Sequence, residues 1–288
     1  MKPTAKIHLV LAFLAITALA CGFFDSQTPA SPTSTTPGDG LVPPPPADGG
    51  PCANTFYPLI PGYQWIYELT AEGEKSQISM TVSAINGNEA TLNILYLDSG
   101  LTTETTVACD EGAIISAPVV LLGFLFGDLD GEINIEHQSG VFVPNYEILS
   151  SQNWDVSWSG EYLASGGISA DIDDEPASAT LNDSPLKIEW HTPGAGEAIF
   201  DGVTVKAGEF PQAITLERTT DLDVSIEFTA DGETTALDTV LTLKNNLWFE
   251  PNIGLLKQDV ENASIKLYGV SFPLEMEGTL ELVEFRQE

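Results

Sequence analysis

The stretch Ile78–Leu97, ISMTVSAINGNEATLNILYL, decides the fold. Ile78, Met80 and Val82 alternate with Ser79, Thr81 and Ser83, so an extended chain would turn its apolar residues to one side and its hydroxyls to the other. NGN at 86–88 then breaks the run with residues that tolerate the left-handed backbone of a tight turn, and ATLNILYL follows. This is a β-hairpin signature. The same period of two recurs in LKIEW (Leu186, Ile188, Trp190), in LDVSIEF (Leu222, Val224, Ile226, Phe228) and in LEMEGTLEL at 274–282. ADG at 230–232 turns the second of these toward TALDTVLTL, a further hairpin. No window carries a sustained helical apolar stripe with caps. The sequence therefore predicts an all-β fold, a large antiparallel sheet with one packed face and one wet face.

Two places break the pattern. APVVLLGFLFG, residues 117–127, is nearly all apolar but holds Pro118 and Gly123 and falls far short of a membrane span. It reads as a strand buried on both faces, a membrane-dipping loop or a lid over an apolar cavity. Val119, Leu121, Leu122, Phe124 and Phe126 are its candidates for an apolar ligand or partner surface. DIDDEPASATLNDSP, residues 171–185, is acidic and turn-rich and reads as a long surface loop or a waist between lobes.

The N-terminal region gives an address. Residues 1–20 combine Lys2 and Lys6 with an uncharged run from Ile7 to Ala20, the form of a secretory signal. Ala18, Leu19, Ala20 and Cys21 resemble the lipobox of bacterial lipoproteins, with Ala18 where leucine is more usual. That resemblance makes Cys21 the lipidated first residue of the mature chain, anchored by acyl groups at about 0.8 kcal/mol per buried methylene. Residues 21–51 are dominated by Pro, Ser, Thr and Gly and predict a disordered tether. As a flexible coil it spans about 30 Å. The β-rich domain is expected over residues 52–288, long enough to bury about 70% of its unfolded surface.

The chain has a formal charge of −32. With Lys2 and Lys6 removed, eight of its ten basic residues remain against forty-two acidic ones. Such a field repels nucleic acid and anionic headgroups. It leaves a cation, a basic partner or simply a solvated acidic surface. Cys52 and Cys109 form an even pair in an extracytoplasmic chain, which suggests a disulfide worth at most about 4 kcal/mol in the chain-entropy picture. Two buried thiols are the alternative.

Catalytic patterns are missing from the sequence. After the signal only His137 and His191 titrate near neutrality, and there is no G-x-S-x-G, H-E-x-x-H or Walker-type loop. No catalytic residue is assigned and no enzyme is expected. GDLDGEIN places Asp128, Asp130 and Gly131 as in the middle of a calcium loop, but Phe126 falls at the first EF-hand position and His137 at the last. Asp171 and Asp173 belong to a second acidic cluster. These four aspartates are the candidate Ca2+ ligands; no other cofactor is expected. Trp65, Trp154, Trp158, Trp190 and Trp248 lie in strand-like segments and read as core and rim rather than as a sugar platform.

Three elements carry a wider resemblance: FYPLIPGYQWIYEL at 56–69, GVTVKAGEFPQAITLER at 202–218 and WFEPNIGLLKQD at 248–259. They resemble the Y-P-L-x-x-G-x-x-W-x-Y opening, V-P-A-G-x-F hairpin and W-Y-x-x-G-x-G-L-V-K closing strand of uncharacterised bacterial surface lipoproteins. Tyr57, Pro58, Leu59, Gly62, Trp65 and Tyr67 match the first, Ala207, Gly208 and Phe210 the second, and Trp248, Gly254, Leu255 and Lys257 the third. Lys206 stands where proline is usual, and Asn252 and Ile253 depart from the closing turn. The resemblance also fits cysteines at Cys52 and Cys109, and it implies a strongly curved sheet or open half-barrel. The expected function is a non-enzymatic, lipid-anchored protein of the bacterial cell envelope, on its extracytoplasmic face, binding an apolar ligand or a protein partner. An acidic, calcium-dependent adhesive module and a carbohydrate-active hydrolase are the competing readings.

Overall fold

The structure is a computed structural model that describes residues 42–71, 73–118, 130–172, 175–192, 199–230, 233–267, 269–274, 276 and 278–287. The described residues belong to one compact unit. Its first strands are β1 (Tyr63–Ala71), β2 (Glu74–Asn86), β3 (Glu89–Tyr96), β4 (Thr102–Asp110), β5 (Ala113–Ile114) and β6 (Asp130–Gly140). A short helix, α1 (Tyr146–Ser151), is capped by the Asn145 side chain, which accepts from the Ile148 amide at 3.1 Å. Then come β7 (Ser157–Ile172), β8 (Glu175–His191), β9 (Val203–Val205), β10 (Gly208–Phe210), β11 (Ile214–Ala230), β12 (Glu233–Glu250), β13 (Gly254–Leu267), β14 (Val270–Leu274) and β15 (Gly278–Gln287).

Thirteen of the described strands make one antiparallel sheet, in the order β5-β4-β3-β2-β1-β15-β13-β12-β11-β8-β7-β6, with β14 beside β13. β9 and β10 form a separate hairpin. The expected all-β architecture is thus present, and the sheet is not closed into a barrel. Its two ends nevertheless meet at one point. Ile114 of β5 pairs with Val143, just past β6, through Ile114 N to Val143 O and Phe142 N to Ile114 O, both 2.8 Å.

The hairpin expected at 78–97 is β2 and β3. Asn86 pairs with Glu89 around a two-residue turn in which Gly87 has φ 60°, and a bulge after Val82 adds local twist. Ile78, Met80, Val82, Ala90, Leu92 and Ile94 are buried together. The second hairpin pairs β11 with β12 without a break from Ile214↔Phe249 to Ala230↔Glu233. Leu186, Ile188 and Trp190 of β8 face the same core.

Three expectations change. Residues 171–185 are no long loop: β7 runs to Ile172, β8 begins at Glu175, and Ile172 pairs with Glu175. The backbone there forms a ladder whose register shifts between Ala164 and Gly166, and Asp183 takes φ 49°. LEMEGTLEL is not one strand, because β14 ends at Leu274 and β15 starts at Gly278. The folded domain also begins before Cys52. Val42 is buried, Tyr146 Oη donates to its carbonyl at 3.0 Å, and Asn252 Nδ2 donates to Pro44 O at 3.3 Å. Prolines 43–46 have no N–H to leave unpaired, so this stretch can lie against the fold without forming a strand.

Candidate functional site

The lead-in segment, residues 42–62, occupies the seam where the two ends of the sheet meet. Cys52 is bonded to Cys109 of β4, with Cα atoms 5.1 Å apart. Two residues on, Asn54 is fully buried and makes four hydrogen bonds. Its Nδ2 donates to Gly112 O at 2.7 Å and Pro144 O at 2.9 Å, and its Oδ1 accepts from the amides of Phe56 at 2.9 Å and Tyr57 at 3.1 Å. One side chain therefore joins the β4–β5 turn, the chain after β6 and the lead-in. Gly112 has φ 85°, and a Cβ there would sit 3.0 Å from the Ala53 carbonyl, so the turn needs glycine. Nothing periodic in the sequence marks Asn54.

The three elements behind the resemblance converge on β1. Trp65 Nε1 donates to Ile253 O at 2.6 Å and Tyr67 Oη to Leu255 O at 2.9 Å, which fixes the opening element to the β12–β13 turn. The β9–β10 hairpin docks through Ala207 N to Leu282 O at 3.0 Å and Lys206 N to Glu281 Oε1 at 2.8 Å. Lys206, the departure from the usual proline, pairs with Glu68 Oε2, while Lys75 Nζ reaches Oε1 at 2.8 Å. The Lys206 and then the Lys75 hydrogen bonds hold the Glu68 carboxyl down at about 2. Both lysines are well exposed, so water screens these pairs. Trp65, Tyr67, Lys206 and Ala207 thus tie the elements of the motif to one another.

Beneath the seam lies an aromatic core. Phe56 packs on Phe249 at 5.0 Å and on Trp154 at 5.7 Å between ring centroids, and Phe142 meets Trp190 edge-on at 5.2 Å. Trp158 stacks on Trp190 at 5.6 Å. Beside it, Phe56, Leu59, Trp65, Met80, Leu92 and Ile114 line an apolar cavity with about 20 Å³ of free space, on the scale of a single water. An acyl chain has no ready-made room there.

Arg218 sits inside this core. It lies on β11 in phase with Ile214, Leu216, Leu222 and Val224, opposite Trp190 on β8 and Asn245 on β12. It is 0% exposed. Its carbon Cζ is 5.2 Å from the Trp190 ring centroid, and Nη2 donates to Asn245 Oδ1 at 3.1 Å. Nε and Nη1 have no protein acceptor among the described residues. Burial lowers the guanidinium to about 10. The Tyr57 phenol, pushed up by burial, acts electrostatically on it from the lead-in segment. The signal for Arg218 was present in the alternation: it occupies an inward position of a strand.

The other expected residues fall as follows. Cys21, Val119, Leu121, Leu122, Phe124, Phe126, Asp128 and Asp173 lie outside the described residues. Asp130 opens β6 opposite Ser169, and Asp171 pairs with Pro176. Among the described residues no three His, Cys, Asp or Glu side chains gather as a metal group. His137 lies on β6 with Nε2 2.9 Å from Gly140 O, and His191 ends β8 with Nε2 2.7 Å from Glu217. Trp65, Trp154 and Trp190 are core; Trp158 and Trp248 pack against it, half-buried. No described helix is long and apolar enough to cross a membrane.

No protein-family model matches the chain, and no curated protein matches it. Two solved structures are similar. One is an inferred lipoprotein from Parabacteroides distasonis ATCC 8503, at 15% identity and TM-score 0.47, covering 81% of this chain and 99% of that one. The other is an inferred exported protein with a YmcC-like fold from Bacteroides fragilis NCTC 9343, at 13% identity and TM-score 0.43, covering 81% of this chain and 100% of that one.

Proposed function

We propose that this chain is a lipid-anchored, non-enzymatic protein of the bacterial cell envelope, held on the extracytoplasmic face through Cys21, whose β-sheet domain binds a protein partner. The observation that carries the reading is the Cys52–Cys109 bridge at the start of the folded domain. Such bridges persist in oxidising compartments. The signal-like residues 1–20 and the lipobox-like Ala18–Cys21 supply a route to one. The bridge clamps the segment by which a tether from Cys21 reaches the sheet, so pull on the tether is borne by a covalent cross-link as well as by packing.

A protein partner fits better than an apolar ligand. Small-molecule sites usually offer about 300–1,000 Å³. The cavity beside the lead-in offers about 20 Å³ and is lined by the protein's own Phe56, Tyr57 and Leu59. Fractionation of cells expressing the full chain and Cys21→Ser tests the anchor: the parent should follow the membrane and the variant should not. Organic extraction of the purified parent tests the occupant. A stoichiometric non-covalent lipid would replace the partner reading with the apolar-carrier one.

A further inference from the structure

Of the eight basic residues beyond the signal, Arg218 alone is fully buried, in a chain with forty-two carboxylates. None of those carboxylates pairs with it among the described residues; its one hydrogen bond goes to a neutral amide. Its neighbours are donors too. Among the described residues Trp190 Nε1 and Asn245 Nδ2, on the two strands flanking Arg218, find no protein acceptor, nor does Thr220 Oγ1, the next inward residue of β11. The Tyr57 hydroxyl, whose ring packs on Phe142 and through it on Trp190, is also without a protein partner among the described residues. Five residues of this part of the core thus carry buried donors without a protein acceptor among the described residues, and one of them bears a full positive charge.

Two effects compete to satisfy such a group. Buried waters can accept the hydrogen bonds, but they carry no charge. An ion without a counter-ion in the interior is costly, and the face of the Trp190 ring offsets only part of that cost. The electrostatics favour a negative guest.

We propose that the inner face around Arg218, Tyr57, Trp190, Thr220 and Asn245 binds a single monovalent anionic acceptor group, with Arg218 as its counter-ion. Two sources share that chemistry: a free halide-sized ion, or the carboxylate end of an apolar ligand whose tail opens the cavity on the other side of Tyr57. Tyr57 links the two spaces, because it lines the apolar cavity and packs through Phe142 on the Trp190 ring that covers Arg218. A free ion at this site leaves the partner reading as it stands, whereas a ligand carboxylate would replace it.

The test uses the mature full chain purified in detergent. At fixed ionic strength, replacing fluoride by bromide should raise the unfolding temperature progressively, since a ligand bound only by the native state stabilises it in proportion to the logarithm of its excess. The dependence should vanish in Arg218→Met. Anomalous diffraction from bromide-grown crystals should place one ion beside Arg218, a result that does not depend on the variant folding. If bromide has no effect and the parent, but not Arg218→Met, yields a stoichiometric fatty acid on extraction, the site stands with the ligand carboxylate as its anion. Melting curves indifferent to the anion, no bromide peak at Arg218 and no extracted acid would overturn the proposal.

Discussion

The lead-in segment and the long strands reach order by opposite means. β7, β8, β11 and β12 run for 16, 17, 17 and 18 residues, and their ladders repeat every second residue. Any one contact there has many equivalents. Residues 42–62 have no ladder of that kind; they are fixed by a bridge, one asparagine and a few rings. Single substitutions should therefore cost more in the short irregular segment than in the long regular ones, and the comparison can be broken by measuring where the cost falls.

The largest effect is expected at Phe56, whose ring fills the space between Trp154 and Phe249. Phe56→Ala should lower stability by about 3–5 kcal/mol in denaturant titration. A loss below about 1 kcal/mol would make the lead-in a passive strap. Next, the pair Cys52→Ala and Cys109→Ala should cost about 2–5 kcal/mol in the same titration, and reduction of the parent should mimic it. Asn54→Ala strands the Gly112 and Pro144 carbonyls and the Phe56 and Tyr57 amides, at about 1–3 kcal/mol for a buried group left without a partner. Hydrogen exchange should then report opening at residues 112–114 and 142–145 while the β11–β12 ladder stays protected.

The smallest effect lies on the regular side, at Glu68 of β1. Its folded carboxyl titrates near 2, below the ordinary value of 4.5. A depressed carboxyl contributes stability that is present above the unfolded value and lost as pH falls from about 4.5 toward 2. Melting temperatures recorded across that window should fall more steeply for the parent than for Glu68→Gln or Lys206→Met. Parallel curves would show that the hairpin is held by its backbone bonds alone.

The same contrast explains what could be read from the sequence. β2, β3, the end of β8 at 186–190, β11 and β12 were legible because burial on one face of a sheet forces period two, and Gly87 sits where a tight turn needs φ above zero. The strand at 175–185 was misread because Asn182, Asp183, Ser184 and Pro185 are residue types that elsewhere make loops, and a ladder irregularity interrupts the count. Residues 42–51 were read as tether because composition reports the mean cost of ordering and not a few long-range contacts. Asn54 reaches partners 58 and 90 residues away, a distance at which no local pattern survives. Arg218 was legible in phase but not in meaning, since alternation shows that a side chain points inward and says nothing of what neutralises it.

The most direct measurement is the intact mass of the mature protein isolated from membranes, with and without reduction. The lipid-anchored reading expects a chain beginning at Cys21, heavier than its sequence by the mass of its acyl groups, and gaining two hydrogens when the Cys52–Cys109 bridge is reduced. A chain that begins elsewhere, or that starts at Cys21 without added mass, would contradict it.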